Sequence, residues 1–145
     1  MKKIMIDNSF LASAAQILTE GKSVRLRISG SSMFPFVRGA EDEVELVPIN
    51  AEEELPMWSA VLFVWEGEYM IHRLVGKKGK SYVFMGDGNL SRKELVVRSQ
   101  VFGILKTIYR PSGEVVDCMS KKWLSRGKCW NRLRLFRKLI LLLYK

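Results

Sequence analysis

Short stretches in which apolar and polar residues alternate dominate the first two thirds of this chain of 145 residues. Such alternation is typical of β-strands with one side in the core and one in solvent. Residues 60–65, Ala-Val-Leu-Phe-Val-Trp, are instead almost wholly apolar, which predicts a strand buried on both faces. Strands are predicted at residues 23–28, 43–47, 60–65, 69–75, 81–85 and 101–109. Because glycine-containing turns separate many of them, we expect a mainly β fold, an antiparallel, partly coiled sheet or barrel.

Two segments have a helical pattern instead. Residues 9–20 can begin at a cap, Asn8 or Ser9, and end before Gly21. Their apolar stripe consists of Leu11, Ala14, Ala15 and Leu18. From Ser120 onward a second stripe consists of Trp123, Trp130, Leu133, Phe136, Ile140 and Leu143. We therefore expect a short N-terminal helix and a C-terminal amphipathic helix.

The net charge of +9 resides at the end of the chain. After Asp117 there are nine basic residues and no acidic ones, whereas the 15 basic residues before that point balance all 15 acids. This distribution favours a near-neutral domain at residues 1–117, with its core at 24–108, and a basic tail at 118–145. A protein that binds nucleic acid specifically would be expected to carry its positive charge on the domain itself.

The tail has two interpretations. Its helix can pack on the domain, or residues 120–145 can contact an anionic membrane surface peripherally, where basic and apolar side chains both bind. We expect the membrane contact, because packing alone does not explain the absence of acids. No run of about 18 apolar residues is present, and the apolar stretch at the start is too short for a secretory signal. We therefore expect a cytoplasmic protein, peripheral at the inner face of the membrane.

Three short segments carry candidate chemistry. Residues 30–35, Gly-Ser-Ser-Met-Phe-Pro, follow the first predicted strand and form a poor helix or strand, so they predict a constrained turn that displays Ser32. The only histidine, His72, lies in a predicted strand, on the same face as Met70 and Leu74. Residues 86–89, Gly-Asp-Gly-Asn, supply a carboxylate. One histidine and two cysteines without a Cys-x-x-Cys pattern do not indicate a zinc site, and we expect no metal and no cofactor.

These three segments together resemble the type I signal peptidase and LexA-like serine peptidase superfamily. The matching motifs are Gly-x-Ser-Met-x-Pro at residues 30–35, His-Arg-hydrophobic-Val at 72–75 and Gly-Asp-x-Asn at 86–89. The His-Arg form is similar to the archaeal and endoplasmic-reticulum branch, in which histidine replaces a lysine base. The resemblance covers roughly residues 24–108 and implies the catalytic fold of that superfamily.

The resemblance implies Ser32 as nucleophile, His72 as general base and Asp87 as the acid that orients the imidazole. A serine hydroxyl needs a neighbouring base, and a free imidazole, with a pKa of about 6.5, suits that task. A carboxylate can hold the ring and stabilise the imidazolium that forms. For Asp87 a second interpretation stays open, because Gly-Asp-Gly-Asn is also a good hairpin turn.

The same motif implies an oxyanion hole and a substrate groove around the serine. The Ser32 N–H is the expected first donor, Gly30 stands where some relatives have a serine, and Ser31 is a neighbour of the nucleophile. The expected groove walls are Met33, Phe34 and Pro35. An extended peptide could add a strand to the sheet beside them.

The sequence therefore predicts a serine endopeptidase that cleaves a leader or signal segment from a peptide or protein substrate. The alternative is a non-catalytic peptide-binding module of the same fold, whose basic tail binds a membrane or a partner. Both functions require a partner with an extended segment, and neither requires specific binding of nucleic acid.

Overall fold

The computed structural model describes residues 5–6, 8–28, 33–50, 52–88, 92–133, 136 and 142–143. Within these residues the chain forms nine β-strands and two α-helices. The strands are β1 (Met5–Ile6), β2 (Val24–Ile28), β3 (Glu43–Pro48), β4 (Ala60–Trp65), β5 (Glu68–Lys78), β6 (Ser81–Met85), β7 (Glu94–Val96), β8 (Val101–Tyr109) and β9 (Val115–Asp117). The helices are α1 (Asn8–Thr19) and α2 (Lys121–Arg132). A turn of 3₁₀ helix, Arg98–Gln100, leads into β8.

All nine of these strands belong to one sheet. Its order is β1-β2-β3-β8-β4-β5-β6-β7, with β9 paired to β8 outside this path. Every pairing is antiparallel except that of β1 with β2, which is parallel. The mainly β, antiparallel class predicted from alternation is thus confirmed, and among the described strands the sheet is open.

The predicted strand boundaries are close to those observed. Strands β4, β6 and β8 begin and end where the pattern places them, whereas β5 continues to Lys78 instead of ending at a turn from Gly76. A register shift between Leu74 and Gly76 lets the ladder with β6 continue to the pair Lys78–Ser81. The sequence pattern did not predict β1, β7 or β9, each only two or three residues long.

Two hydrophobic cores lie on opposite faces of the sheet. In β4, Ala60 and Leu62 belong to the first core, and Val61 and Phe63 belong to the second, which explains why this strand is apolar throughout. The apolar stripe predicted for α1 is buried in the first core. At Gly103 in β8 an added Cβ would lie only 2.8 Å from the Leu18 side chain, so glycine permits this close approach of α1.

Helix α2 packs on the domain. Ser120 caps it by accepting a hydrogen bond from the Trp123 N–H at 3.1 Å, and Trp123, Gly127 and Trp130 are buried. Trp123 belongs to the first core together with Cys118. The packing that we considered as the alternative is therefore present at α2, because the two tryptophans face the domain.

The rest of the predicted tail stripe has a different environment. Leu133, Phe136 and Leu143 are exposed, and Ile140 lies outside the described residues. No helix in the described part of the chain is both long enough and apolar enough to cross a bilayer.

Candidate active site

The predicted nucleophile, Ser32, lies outside the described residues, as do Gly30 and Ser31. The described chain resumes at Met33 in a turn closed by the Phe36 N–H, which donates to the Met33 carbonyl at 2.9 Å. Met33 is buried in the first core.

The predicted groove walls therefore have different environments. The Met33 side chain is not available to a groove, contrary to expectation, because it is buried in the first core. Phe34 and Pro35 are half-buried, and the peptide bond between them is cis. Pro35 and Phe36 border a groove of about 580 Å³ against α2, which Trp123 and Trp130 also line. His72 is not among the residues that line it.

The predicted base, His72, is bound to a carboxylate, and that carboxylate belongs to Glu94. His72 Nδ1 and Glu94 Oε1 are 2.6 Å apart, and the side chains are only 7% and 0% exposed. When the carboxylate accepts this hydrogen bond, Nδ1 carries the proton and Nε2 is left with its lone pair. Within the described residues Nε2 has no hydrogen-bond partner. An imidazole in this state can accept a proton.

The strand register explains why Glu94 reaches His72. Leu74 on β5 pairs with Phe84 on β6, which in turn pairs with Glu94 on β7. Directly paired residues share a face, as do residues two apart on one strand. His72 and Glu94 therefore project on the side of the second core, where the His72 ring packs edge-on against Phe63 at 5.9 Å. The predicted face of His72, shared with Leu74, is confirmed.

Asp87 makes a different contact from the one we expected. Its two carboxylate oxygens accept hydrogen bonds from Arg73 Nε at 2.8 Å and Nη2 at 2.6 Å, and both side chains are buried, at 0% and 1% exposure. Arg73 pairs with Met85, so the carboxylate two residues beyond Met85 lies on the side of Arg73, opposite to His72. The expectation that Asp87 orients the imidazole is corrected accordingly: Glu94 holds the ring.

The sequence analysis missed Glu94 because β7 is too short for its pattern to indicate a strand. In β7, Leu95 is 50% exposed, whereas Glu94 shares the buried face with Val96, and both are 0% exposed. Pairing with β6 imposes this orientation on a strand of only three residues. A buried acid is a signal of function, but it is visible only once the register is known.

The second oxygen of Glu94 is weakly held. Glu94 Oε2 makes no hydrogen bond within the described structure, although Arg92 Nε lies 3.5 Å away in an ion-pair contact. Arg92 is 57% exposed, so solvent screens its charge. The carboxylate is therefore held chiefly by its hydrogen bond to His72.

Other potentially reactive groups do not join this site. Both cysteines are free, Cys118 buried and Cys129 exposed. Burial raises the pKa of the Cys118 thiol to about 12, so this thiol is protonated and unreactive near neutral pH. Among the described residues, no three histidine, cysteine or acidic side chains lie close enough to hold a metal ion.

Comparisons with known proteins do not assign this chain to a family. No model of a known protein family matches it, and no curated protein matches it either. The motifs at residues 30–35, 72–75 and 86–89 and the geometry around His72 are the features that bear on the chemistry of the site.

Proposed function

We propose that this chain is a serine endopeptidase of the signal peptidase and LexA-like type, which cleaves a leader or signal segment from a peptide or protein substrate. One observation carries the proposal: a buried imidazole whose Nδ1 is bound by a carboxylate at 2.6 Å and whose Nε2 has no described partner. A histidine held in this way is suited to act as a general base. The Gly-x-Ser-Met-x-Pro motif supplies the serine on which such a base acts.

In the proposed reaction the Ser32 hydroxyl attacks the carbonyl carbon of the scissile peptide bond. His72 Nε2 takes the hydroxyl proton, and Glu94 stabilises the imidazolium that forms. The Ser32 N–H donates to the oxyanion of the tetrahedral intermediate. The intermediate then expels the amine, which receives the proton from His72, and leaves an acyl-enzyme. Water, deprotonated by the same imidazole, hydrolyses this ester and restores the serine.

The proposed substrate is an extended peptide segment. A peptide that adds a strand to a sheet presents alternate side chains to the protein, so a few pockets set its specificity. The resemblance to signal peptidases suggests small residues at the cleavage site, as in Ala-x-Ala.

A serine-directed acylating probe and an Ala-x-Ala reporter peptide test the proposal. We expect Ser32→Ala to abolish both labelling and cleavage, and His72→Ala to reduce both by at least about 100-fold without unfolding the protein. Ser31→Ala is the matched control, because it removes the neighbouring hydroxyl and should keep most of the activity. Full activity in Ser32→Ala would disprove the proposal. A folded wild-type protein that binds peptides but neither cleaves them nor reacts with the probe would indicate the binding module instead.

We also propose that the end of the chain contacts an anionic membrane surface, which would place the site at the inner face of a membrane. Described apolar residues beyond α2 are exposed: Leu133, Phe136, Leu142 and Leu143. The chain contains no acid after Asp117 to oppose the attraction.

Because Trp123 and Trp130 are buried, the test should leave α2 intact. Removal of residues 134–145 should greatly reduce co-sedimentation with anionic vesicles at low salt, and should preserve the circular dichroism spectrum and cleavage of a soluble peptide. Neutral vesicles provide the control. Equal binding by the full-length and shortened proteins would rule out this contact.

A further inference from the structure

Helix α2 contacts the segment that follows the proposed nucleophile. The Phe36 ring, four residues beyond Ser32, packs edge-on against Trp123 at 5.9 Å and against Trp130 at 6.3 Å between ring centroids. Both tryptophans are buried, and Trp123 belongs to the first core, against which Phe36 packs. The described segment at residues 33–36, which follows the serine in sequence, is therefore attached to α2.

The same helix packs against Arg73, the residue after the proposed base. The Arg73 guanidinium lies 4.3 Å from the Trp123 ring centroid and 4.7 Å from that of Phe36, in cation–π contact with both. Gly127 passes directly over it: an added Cβ would lie 2.1 Å from Arg73 Nη1 and 2.4 Å from Cζ. Glycine destabilises the middle of a helix relative to alanine. Its presence at position 127 therefore indicates that the helix backbone must approach the Arg73 side chain closely.

A third contact joins α2 to the segment before Glu94. Trp130 Nε1 donates a buried hydrogen bond to the Asp87 backbone carbonyl at 2.7 Å. Asp87 also binds Arg73 through both carboxylate oxygens. This carbonyl belongs to the turn that leaves β6, and the chain then continues to β7 and Glu94.

We propose that α2 is a positioning helix for the active site, with Gly127 and Trp130 as its positioning residues. The helix joins three segments that are distant in sequence: the turn after Ser32, the strand that carries His72 and the turn before Glu94. Gly127 and Trp130 lie on the Arg73 side of the sheet, opposite to His72, so they act on the imidazole through Arg73 and Asp87. This inference rests on the proposed peptidase function and extends it to part of the basic tail.

Gly127→Ala is the most direct test, and Ser125→Ala is its matched control. Both changes raise helix propensity, but Ser125 is exposed, whereas Gly127 faces the Arg73 guanidinium. Misplacement of reacting groups by about 1 Å can cost about 100-fold in rate. We expect Gly127→Ala to lower kcat by about 10- to 100-fold with little change in KM, and Ser125→Ala to leave both unchanged.

The single histidine allows a test that does not depend on activity. NMR signals of the His72 ring should shift in Gly127→Ala and in Trp130→Phe, which keeps an aromatic ring but lacks the indole donor. They should not shift in Ser125→Ala. If Gly127→Ala does not fold, Trp130→Phe carries the test. A shorter side chain at position 73 should relieve the clash, so Gly127→Ala should cost less in an Arg73→Lys background than in the wild type.

The outcomes separate this inference from the proposed function. Unchanged His72 signals and unchanged kcat in both folded variants would overturn the positioning role, even if Ser32→Ala abolishes cleavage. A loss of stability with normal kcat and normal His72 signals would also overturn it, because α2 would then be only structural. If the wild type cleaves no peptide, the proposed function fails, whereas shifted His72 signals in both variants would still support coupling of α2 to the ring.

Discussion

Two adjacent residues of β5, His72 and Arg73, each bind a buried carboxylate, and they do so on opposite faces of the sheet. His72 binds Glu94 through Nδ1 alone. Arg73 binds Asp87 through Nε and Nη2, donates from Nη1 to the Trp58 carbonyl at 2.6 Å, and is covered by aromatic rings. The first pair retains an unused acceptor, whereas the second uses a donor on each guanidinium nitrogen.

This difference suits the two pairs to different roles, a structural one for Arg73 and Asp87 and a proposed catalytic one for His72 and Glu94. A buried ion pair with its hydrogen bonds satisfied holds chain segments together, and removal of one partner leaves an uncompensated charge. An imidazole bound on one side only keeps a nitrogen for proton transfer. We therefore assign the proposed catalytic role to the pair that is less fully bonded.

Glu94→Gln should produce the largest change on the His72 side. The amide keeps the size of the side chain but cannot stabilise an imidazolium by its charge, so we expect turnover to fall by about 10²- to 10⁴-fold. Circular dichroism should show a folded protein. Steady-state cleavage of the reporter peptide measures the effect, and wild-type turnover in Glu94→Gln would show that Glu94 is only structural.

Asp87→Asn should instead act on stability. It leaves the buried Arg73 charge without its anionic partner, so the free energy of unfolding should fall by about 3–5 kcal/mol. Urea denaturation measures this change, with Glu94→Gln as the comparison variant. If Asp87→Asn unfolds like the wild type and loses more turnover than Glu94→Gln, the roles assigned to the two carboxylates are reversed.

The Cys118 thiol reports on packing in the first core, on the same face of the sheet as Arg73. Burial raises the pKa of its thiol to about 12 from an ordinary value of 9.0, and the nearby Arg73 charge opposes that rise. Above pH 9.0 the unfolded chain therefore loses a proton that the folded protein keeps, so stability should fall with rising pH by up to about 1.4 kcal/mol per pH unit until about pH 12.

Urea midpoints measured between about pH 8 and about pH 10.5 test this slope. Other groups also titrate in this range, so Cys118→Ala is the control, and the difference in slope between the two proteins belongs to the thiol. In the native state an alkylating reagent should modify the exposed Cys129 and spare Cys118. Equal labelling of both thiols would contradict tight packing around Cys118 in the first core.

Arg92→Ala should have the smallest effect. Arg92 lies near Glu94 but is mostly in solvent, so its loss should change kcat/KM by less than about fivefold, equivalent to about 1 kcal/mol. Any difference in kcat/KM between Arg92→Ala and the wild type should be smaller at high salt than at low salt, because salt screens the Arg92 charge. A loss as large as that of Glu94→Gln would mean that Arg92 is needed to hold the carboxylate.

Much of the fold was predictable because it depends on local patterns. The boundaries of β4, β6 and β8, the apolar stripe of α1 and the face on which His72 lies all follow from alternation or helical periodicity. Short strands such as β7 escaped prediction, since three residues carry too little pattern to distinguish a strand from a loop.

The sequence by itself determined the mainly β class, the position of the only histidine in a strand, and the three motifs on which the proposed peptidase function rests. The tertiary structure alone decided which carboxylate reaches the imidazole, because the answer depends on the register of β7 against β6. It also decided that Trp123 and Trp130 are buried against the domain. Amphipathicity reveals that a helix has an apolar side, but the surface buried by that side depends on the rest of the fold, here the close approach of Gly127 to Arg73.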